Sequence, residues 1–182
     1  MIGDDQVTLF LSKGDTLEMN LNKNDFYHSI SYHGDNEEIN LQLLLVSKGK
    51  PAPGFSLKDT NCNIVKLSDF KGKYVYIDVW NSACFHCFKE FSLLEPLIEK
   101  YKDIIFLGIN LDKDEGTWKK TLEAKGLKGI QLFANGWNSD FGKDYFIKFN
   151  PRFILIDKDQ NIYNLSAPRP SGGIDGILSK LK

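Results

Sequence analysis

The sequence predicts an α/β fold, a central mixed β-sheet flanked by helices and preceded by a small β-rich segment, on three observations. The stretch "KYVYIDVW" is almost continuously apolar, β-branched or aromatic, which suits a central strand covered on both faces. Apolar residues then recur at helical spacing before a second buried run, "DIIFLGINL", and another helical stretch. A β-α-β-α order of this kind implies that the two strands pair in parallel. Further on, "RFILIDKDQNIYNL" reads as strand, turn and strand, an antiparallel hairpin that makes the sheet mixed.

Each element has its own local reason. At the start, "VTLFLSKGDTLEMNL" sets a Lys-Gly-Asp turn between two β-favouring runs, which predicts a hairpin at about 7–21. Broken period-two fragments predict another strand near 27–33 and then a short helix at about 37–47. In "SKGKPAPGF", glycine and two prolines discourage regular structure, so the chain divides into a β-rich segment at 1–50 and a main domain at 51–182. Phe91, Leu94, Ile98 and Tyr101 define one apolar stripe and a helix at about 85–101. "EGTWKKTLEAKG" is a second helix, closed by its C-terminal glycine. "IQLFA" predicts a strand and "SDFGKDYFI" a short helix, while Ile174, Ile177, Leu178 and Leu181 form the stripe of a closing helix behind Ser171.

Composition narrows the function classes. With 182 residues, 42% of them hydrophobic and 26% charged, the chain has the make-up of one packed domain with a small appendage. A formal net charge of -1 supplies no general attraction to nucleic acid or to an acidic membrane surface. The sequence contains no apolar run of membrane-spanning length, and "MIGDDQVTLFLSKGD" has neither the basic flank nor the apolar stretch of a secretory signal. Three cysteines are too few for a disulfide framework, and their odd number leaves one over.

Two of those cysteines, Cys84 and Cys87, stand three apart where the first main-domain strand gives way to its helix. The first turn of a helix offers unpaired N–H groups and the positive end of the helix dipole, so a thiolate at Cys84 is stabilised there. The offset of three puts both sulfurs on one face, within reach of a disulfide. That arrangement suits thiol–disulfide exchange, with Cys84 attacking a substrate disulfide and Cys87 resolving the mixed disulfide. Cysteine also packs as a small buried hydrophobe, and the spacing alone does not separate the two readings. Zinc is disfavoured because His28, His33 and Cys62 have no ligand-like spacing, and haem attachment because Phe88 stands where a histidine is needed, so no metal site is expected.

Four neighbours enter the same reading. Asp78 interrupts the apolar strand six residues before Cys84; buried there, it has a raised pKa and can exchange a proton with a thiol, whereas at a strand end it simply caps a turn. Glu90 lies three residues beyond Cys87 on the same helical face, to share in proton handling or to be an ordinary solvated residue. His86, as an imidazolium or hydrogen-bond donor, favours the Cys84 thiolate and a more oxidising disulfide. Phe85 offers an apolar contact to substrate.

Asp78, Trp80 and the pair Cys84-Phe85-His86-Cys87, followed by "FNPRFILID", resemble the thioredoxin-like superfamily. Within it, "APGFSLKDTNCNIVKLSDFKGKYVYIDVW" and Glu90 resemble the TlpA/ResA-type thiol–disulfide oxidoreductases of bacterial envelopes, over about 51–182. The resemblance implies a thioredoxin-like fold with Asp78 as the buried acid, Trp80 as the aromatic near the active site and Glu90 as the active-site glutamate. It also implies that Pro151 is a cis-proline facing the disulfide, with Asn150 offering backbone hydrogen bonds to an extended substrate; without it, trans is the ordinary expectation. Residues 1–50 resemble the tail of a β-rich domain that precedes this module in gut Bacteroidetes proteins, which are usually exported and often lipid-anchored. The implied setting is therefore the periplasm or cell envelope, with membrane contact only through an anchor absent from these residues. The implied partners are protein thiols or disulfides and an upstream redox partner, the implied state is a monomer, and no cofactor is needed beyond the cysteine pair.

Ala83, His86 and Ser92 depart from the Trp, Pro and kinking Pro usual at their positions, with Pro96 one turn later, and the Asn81-Ser82 pair is also unusual. These departures bear on partner and potential. The histidine hints at an oxidising bias. Cys62 falls in a turn and reads as a bystander. Two other functions compete: a non-catalytic binding or redox-sensing domain on the same fold, and a thiol peroxidase, which needs Pro and Thr where Ile77 and Asn81 stand.

Overall fold

The computed structural model describes residues 5–10, 16–21, 29–33 and 48–181, the first three stretches in their backbone. Strands β1 (Asp5–Phe10), β2 (Thr16–Leu21) and β3 (Ser29–His33) form a separate antiparallel sheet in that order. The hairpin and following strand expected from sequence are thus present, and the helix expected at 37–47 lies outside the described residues.

The main domain is built on a seven-stranded sheet. Its strands are β4 (Ser56–Asp59), β5 (Ile64–Lys66), β6 (Tyr74–Trp80), β7 (Ile104–Asn110), β8 (Ile130–Phe133), β9 (Arg152–Ile156) and β10 (Ile162–Asn164), in spatial order β10-β9-β6-β7-β8-β4-β5. β6, β7 and β8 run parallel, β9 pairs antiparallel with β6, and β4 pairs antiparallel with β8, so the sheet is mixed as expected. Helix α1 (Phe85–Lys100) connects β6 to β7 and α2 (Glu115–Lys125) connects β7 to β8. Short α3 (Asp140–Asp144) and α4 (Ile174–Leu178) follow β8 and β10.

Period-two alternation sorts the sheet into two faces. Val75, Ile77, Val79, Leu107, Ile109, Ile154 and Ile156 point into one buried cluster, while Tyr76, Phe106, Phe153 and Leu155 point into another with Leu94 and Leu97 of α1. Asp78 belongs by register to the second face, between Tyr76 and Trp80, under α1. The central strand is therefore covered on both sides, as its composition predicted.

Local signals account for the ends of the helices. Asp114 caps α2 by accepting from the Thr117 N–H, and Gly126 closes it at φ 58, a left-handed conformation that costs glycine least. α1 continues through Pro96 to Lys100. The β4–β5 hairpin was not foreseen. It carries Cys62 at φ 64 in its turn, where the Asp59 carboxylate accepts from the N–H groups of Asn61 and Asn63. The main domain's contacts begin slightly before residue 51, since Gly49 N–H and Lys50 C=O already bond Ile162.

Candidate active site

β6 ends at Trp80, and four residues later Cys84 forms the N-cap of α1 with φ -86 and ψ 91. Cys84 and Cys87 are joined in a disulfide with Cα atoms 5.3 Å apart. The Cys84 sulfur accepts the Cys87 backbone N–H at 3.1 Å, one of the unpaired donors of the helix head. Exposure differs within the pair: Cys84 retains 8% and Cys87 none.

Beneath the pair lies an aromatic floor. Trp80, Cys84, Cys87 and Trp118 form one buried cluster, with Phe88 and Phe91 edge-on to the Trp80 ring. Trp80 is fully buried and donates from Nε1 to Gln131 Oε1 at 3.2 Å. Gln131 occupies the space that a Cβ on Gly108 would need, which explains glycine at that point of β7. The resemblance placed Trp80 near the active site, and there it stands. The further expectation that it contacts substrate is corrected, because Trp80 is fully buried and packs in one cluster with Cys84 and Cys87.

Asp78 is 1% exposed, and neither of its carboxylate oxygens has a hydrogen-bond partner among the described residues. Burial pushes its pKa well above the ordinary carboxylate value, and the nearby charge of Glu90 pushes it further. Asp78 is therefore a buried acid, not a turn cap. Glu90 is buried as well, at 4% exposure, so the solvated alternative fails. Ser171 donates to it from both its N–H (2.9 Å) and its hydroxyl (2.7 Å), and Arg169 Nε lies 3.6 Å from Oε1.

The rim is open. Phe85 is 66% exposed, with the Lys89 ammonium 4.9 Å from its ring centroid and the exposed His86 ring edge-on to it. His86 does not supply the donor expected for Cys84; among the described residues that bond comes from the Cys87 N–H. The Asn150–Pro151 bond is cis. The register pairs Val79 with Arg152, the first residue of β9, so Pro151 lies just before that strand, at the sheet end from which β6 leads to Cys84. The Asn150 side-chain Nδ2 is buried with no hydrogen-bond partner among the described residues. Ile77, where a peroxidase needs proline, packs into the core on the sheet face away from Asp78.

Sequence reasoning missed Trp118, Arg152, Arg169, Ser171 and Asp112. Arg152 had a visible signal, an arginine directly after Pro151 opening an apolar run; it is buried, with its guanidinium 5.3 Å from the Phe149 ring centroid. Trp118 had a weaker one, a large aromatic in the middle of an otherwise polar helix. The other three are brought in by tertiary contact. Among the described residues, no group of three His, Cys, Asp or Glu side chains is arranged to hold a metal ion.

Comparison with known proteins gives a consistent set. The sequence pattern of the AhpC/TSA family matches residues 48–164. The thiol–disulfide oxidoreductase ResA of Bacillus thuringiensis subsp. konkukian is 30% identical over 116 residues, covering 63% of this chain and 66% of that protein, just under two thirds of its length. A crystal structure from Bacteroides vulgatus, named as a thiol–disulfide oxidoreductase, is 37% identical with a TM-score of 0.70, over 76% of this chain and 99% of its own. The thioredoxin domain of another Bacteroides vulgatus thiol–disulfide oxidoreductase is 28% identical with a TM-score of 0.68, over 75% and 99%.

Proposed function

The chain belongs to the AhpC/TSA family, and from that premise we propose that it is a thiol–disulfide oxidoreductase whose Cys84–Cys87 pair exchanges electrons with protein thiols. The observation that carries this reading is the disulfide itself, at a helix head, with Cys84 slightly exposed and Cys87 fully buried. In the reducing direction, the Cys84 thiolate attacks one sulfur of a client disulfide, that S–S bond breaks, and the client's other sulfur leaves as a thiolate. Cys87, once deprotonated, attacks the Cys84 sulfur, closing the Cys84–Cys87 bond and expelling the second client thiolate. Two electrons pass to the client, and the reverse sequence oxidises it.

Asp78 is the proton acceptor for Cys87. It lies on the sheet face beneath α1, close enough to Glu90 to feel its charge, and Glu90 is one helical turn from Cys87. A carboxylate whose pKa is raised is a stronger base when ionised, nearer to a thiol in proton affinity. Phe85 and the Asn150–Pro151 edge bind the client, the first through its exposed ring and the second through the backbone of an extended segment. His86 stands on the same rim.

The exchange needs no metal or organic cofactor, since the disulfide is the redox group. Turnover requires an upstream redox partner that resets the pair. The protein works as a monomer in the periplasm or cell envelope, a setting supported by the resemblance of 51–182 to envelope oxidoreductases. No helix among the described residues is long and apolar enough to cross a membrane.

Insulin reduction driven by dithiothreitol tests the assignment. Cys84→Ser abolishes the catalysed rate, and full retention of activity in that variant discards the reading. A titration against glutathione then gives direction: a potential near that of thioredoxin marks a reductant, one well above it an oxidant or isomerase.

A further inference from the structure

Asp112 stands between β7 and α2, where the parallel ladder of β6 and β7 ends. The Leu111 N–H still reaches the Trp80 carbonyl at 2.8 Å, but the next turn of chain, 81–84, has left the sheet. Its Ser82 N–H donates instead to both carboxylate oxygens of Asp112, at 3.1 and 3.2 Å, and the Ser82 hydroxyl donates to Oδ2 at 2.5 Å. The carboxylate is itself held in place: Asn110, fully buried, donates from Nδ2 to Oδ2 at 3.0 Å and accepts the Asp112 N–H on Oδ1 at 2.8 Å. From α2, the Thr121 hydroxyl lies 2.8 Å from that of Ser82 and 2.9 Å from the Thr117 carbonyl. Ser82 spends its one proton on the carboxylate, which leaves the Thr121 proton shared between the other two contacts.

Ser82 is two residues before Cys84. Inside the same turn, Cys84 N–H donates to the Asn81 carbonyl and Ala83 N–H to Asn81 Oδ1, both at 3.1 Å. The turn is thus closed from within by Asn81 and pinned from outside by Asp112. While the disulfide is intact, Cys84 is also tied to the helix through Cys87, a tie that reduction removes.

We propose that Asp112 is a positioning residue of the exchange reaction, its carboxylate holding the 81–84 turn so that the reduced Cys84 sulfur stays at the head of α1, opposite the Cys87 N–H. This rests on the reading of the pair as an exchange centre. Asp112 does not touch the sulfur in this role; it acts through Ser82.

The test is alkylation of the reduced protein by iodoacetamide across a range of pH, read at Cys84 by tandem mass spectrometry. Asp112→Ala, which removes acceptor and charge, slows the reaction at pH 7 by about tenfold and moves the rate profile to higher pH. Asp112→Asn keeps an acceptor for Ser82 and stays within about threefold of the parent. An Asp112→Ala protein with the parent's rate and profile overturns the proposal, and so do two variants that both react faster, since the carboxylate is then only a repelling charge. Should Asp112→Ala fail to fold, Ser82→Ala removes the hydroxyl donor alone and slows Cys84 by about threefold; an unchanged profile there is equally fatal. Insulin reduction by the unsubstituted protein separates the two levels. If it is inactive, the exchange reading fails; if it is active and the variants match it, only the role of Asp112 fails.

Discussion

Asp78, on the strand side of the disulfide, has no hydrogen bond to either carboxylate oxygen among the described residues, whereas Glu90, on the helix side, accepts twice from Ser171 and pairs with Arg169. Both acids are buried, so burial alone does not set their roles. A carboxylate taken out of water without donors resists ionisation. The causes of the Asp78 shift fall in that order, burial first and the Glu90 charge second. The charge of the partnered acid is therefore one of the two causes that hold the partnerless one above the ordinary carboxylate range. Glu90 is also a strut: its bond to Ser171 joins residues 81 apart in sequence and fastens the C-terminal segment to α1.

Removing the titration of Asp78 tests the comparison hardest. Asp78→Asn lowers the rate of insulin reduction by about a hundredfold, the scale of a lost general base. The same change stabilises the fold. Because the folded-state pKa of Asp78 lies above its unfolded value, the parent carries no ionisation penalty below about pH 4 and loses stability as pH rises through the folded pKa. Asp78→Asn escapes that loss, so urea melts of the two proteins coincide at low pH and separate by on the order of 1–3 kcal/mol on the alkaline side. Melts that stay parallel at every pH would mean that Asp78 is ionised without penalty and that its lack of partners has no consequence.

Glu90→Gln comes next and acts on both sides at once. It removes the charge that faces Arg169 and costs about 2 kcal/mol, less than a fully buried pair because the arginine is partly exposed. It also removes the second cause of the Asp78 shift, so the Asp78 carboxyl carbon, followed by NMR, titrates at lower pH than in the parent. Burial remains, and the midpoint stays above the ordinary carboxylate range. An unmoved titration would break the link between the two acids.

How much of this was legible in the sequence follows the range of the interactions. β6 and α1 were read from an apolar run and a stripe at helical spacing, because burial on two faces or on one stripe leaves a local pattern. Asp78 announced itself as the one charge within β6. The β4–β5 hairpin was missed because its strands are only four and three residues long and largely exposed at the sheet edge, so neither apolar content nor length marks them. Glu90 was left between two roles because its spacing from Cys87 gives the face and not the cover. The cover comes from Arg169 and Ser171, in a segment that sequence showed only as the approach to a closing helix. Ser82 and Asp112, 30 residues apart, meet for the same reason, since parallel pairing of β6 with β7 brings their outgoing loops together. The cis bond at Pro151 was available through resemblance alone, as local preference points to trans.

Ser171→Ala, the smallest change, separates the strut from the charge. The hydroxyl that donates to Glu90 Oε1 is lost, while the Ser171 N–H still donates to Oε2 at 2.9 Å and Arg169 keeps its place beside Oε1. The expected cost is about 1 kcal/mol, a fall in melting temperature of roughly 2–4 °C for a chain of this size. Since Glu90 keeps its charge, the Asp78 titration and the pH dependence of insulin reduction stay where they are in the parent. Glu90→Gln moves stability and titration together, and Ser171→Ala moves stability alone. If Ser171→Ala shifted the Asp78 titration as far as Glu90→Gln does, the orientation of the Glu90 carboxylate, and not its charge, would be what Asp78 senses, and the helix side would reach the strand side through that one hydroxyl.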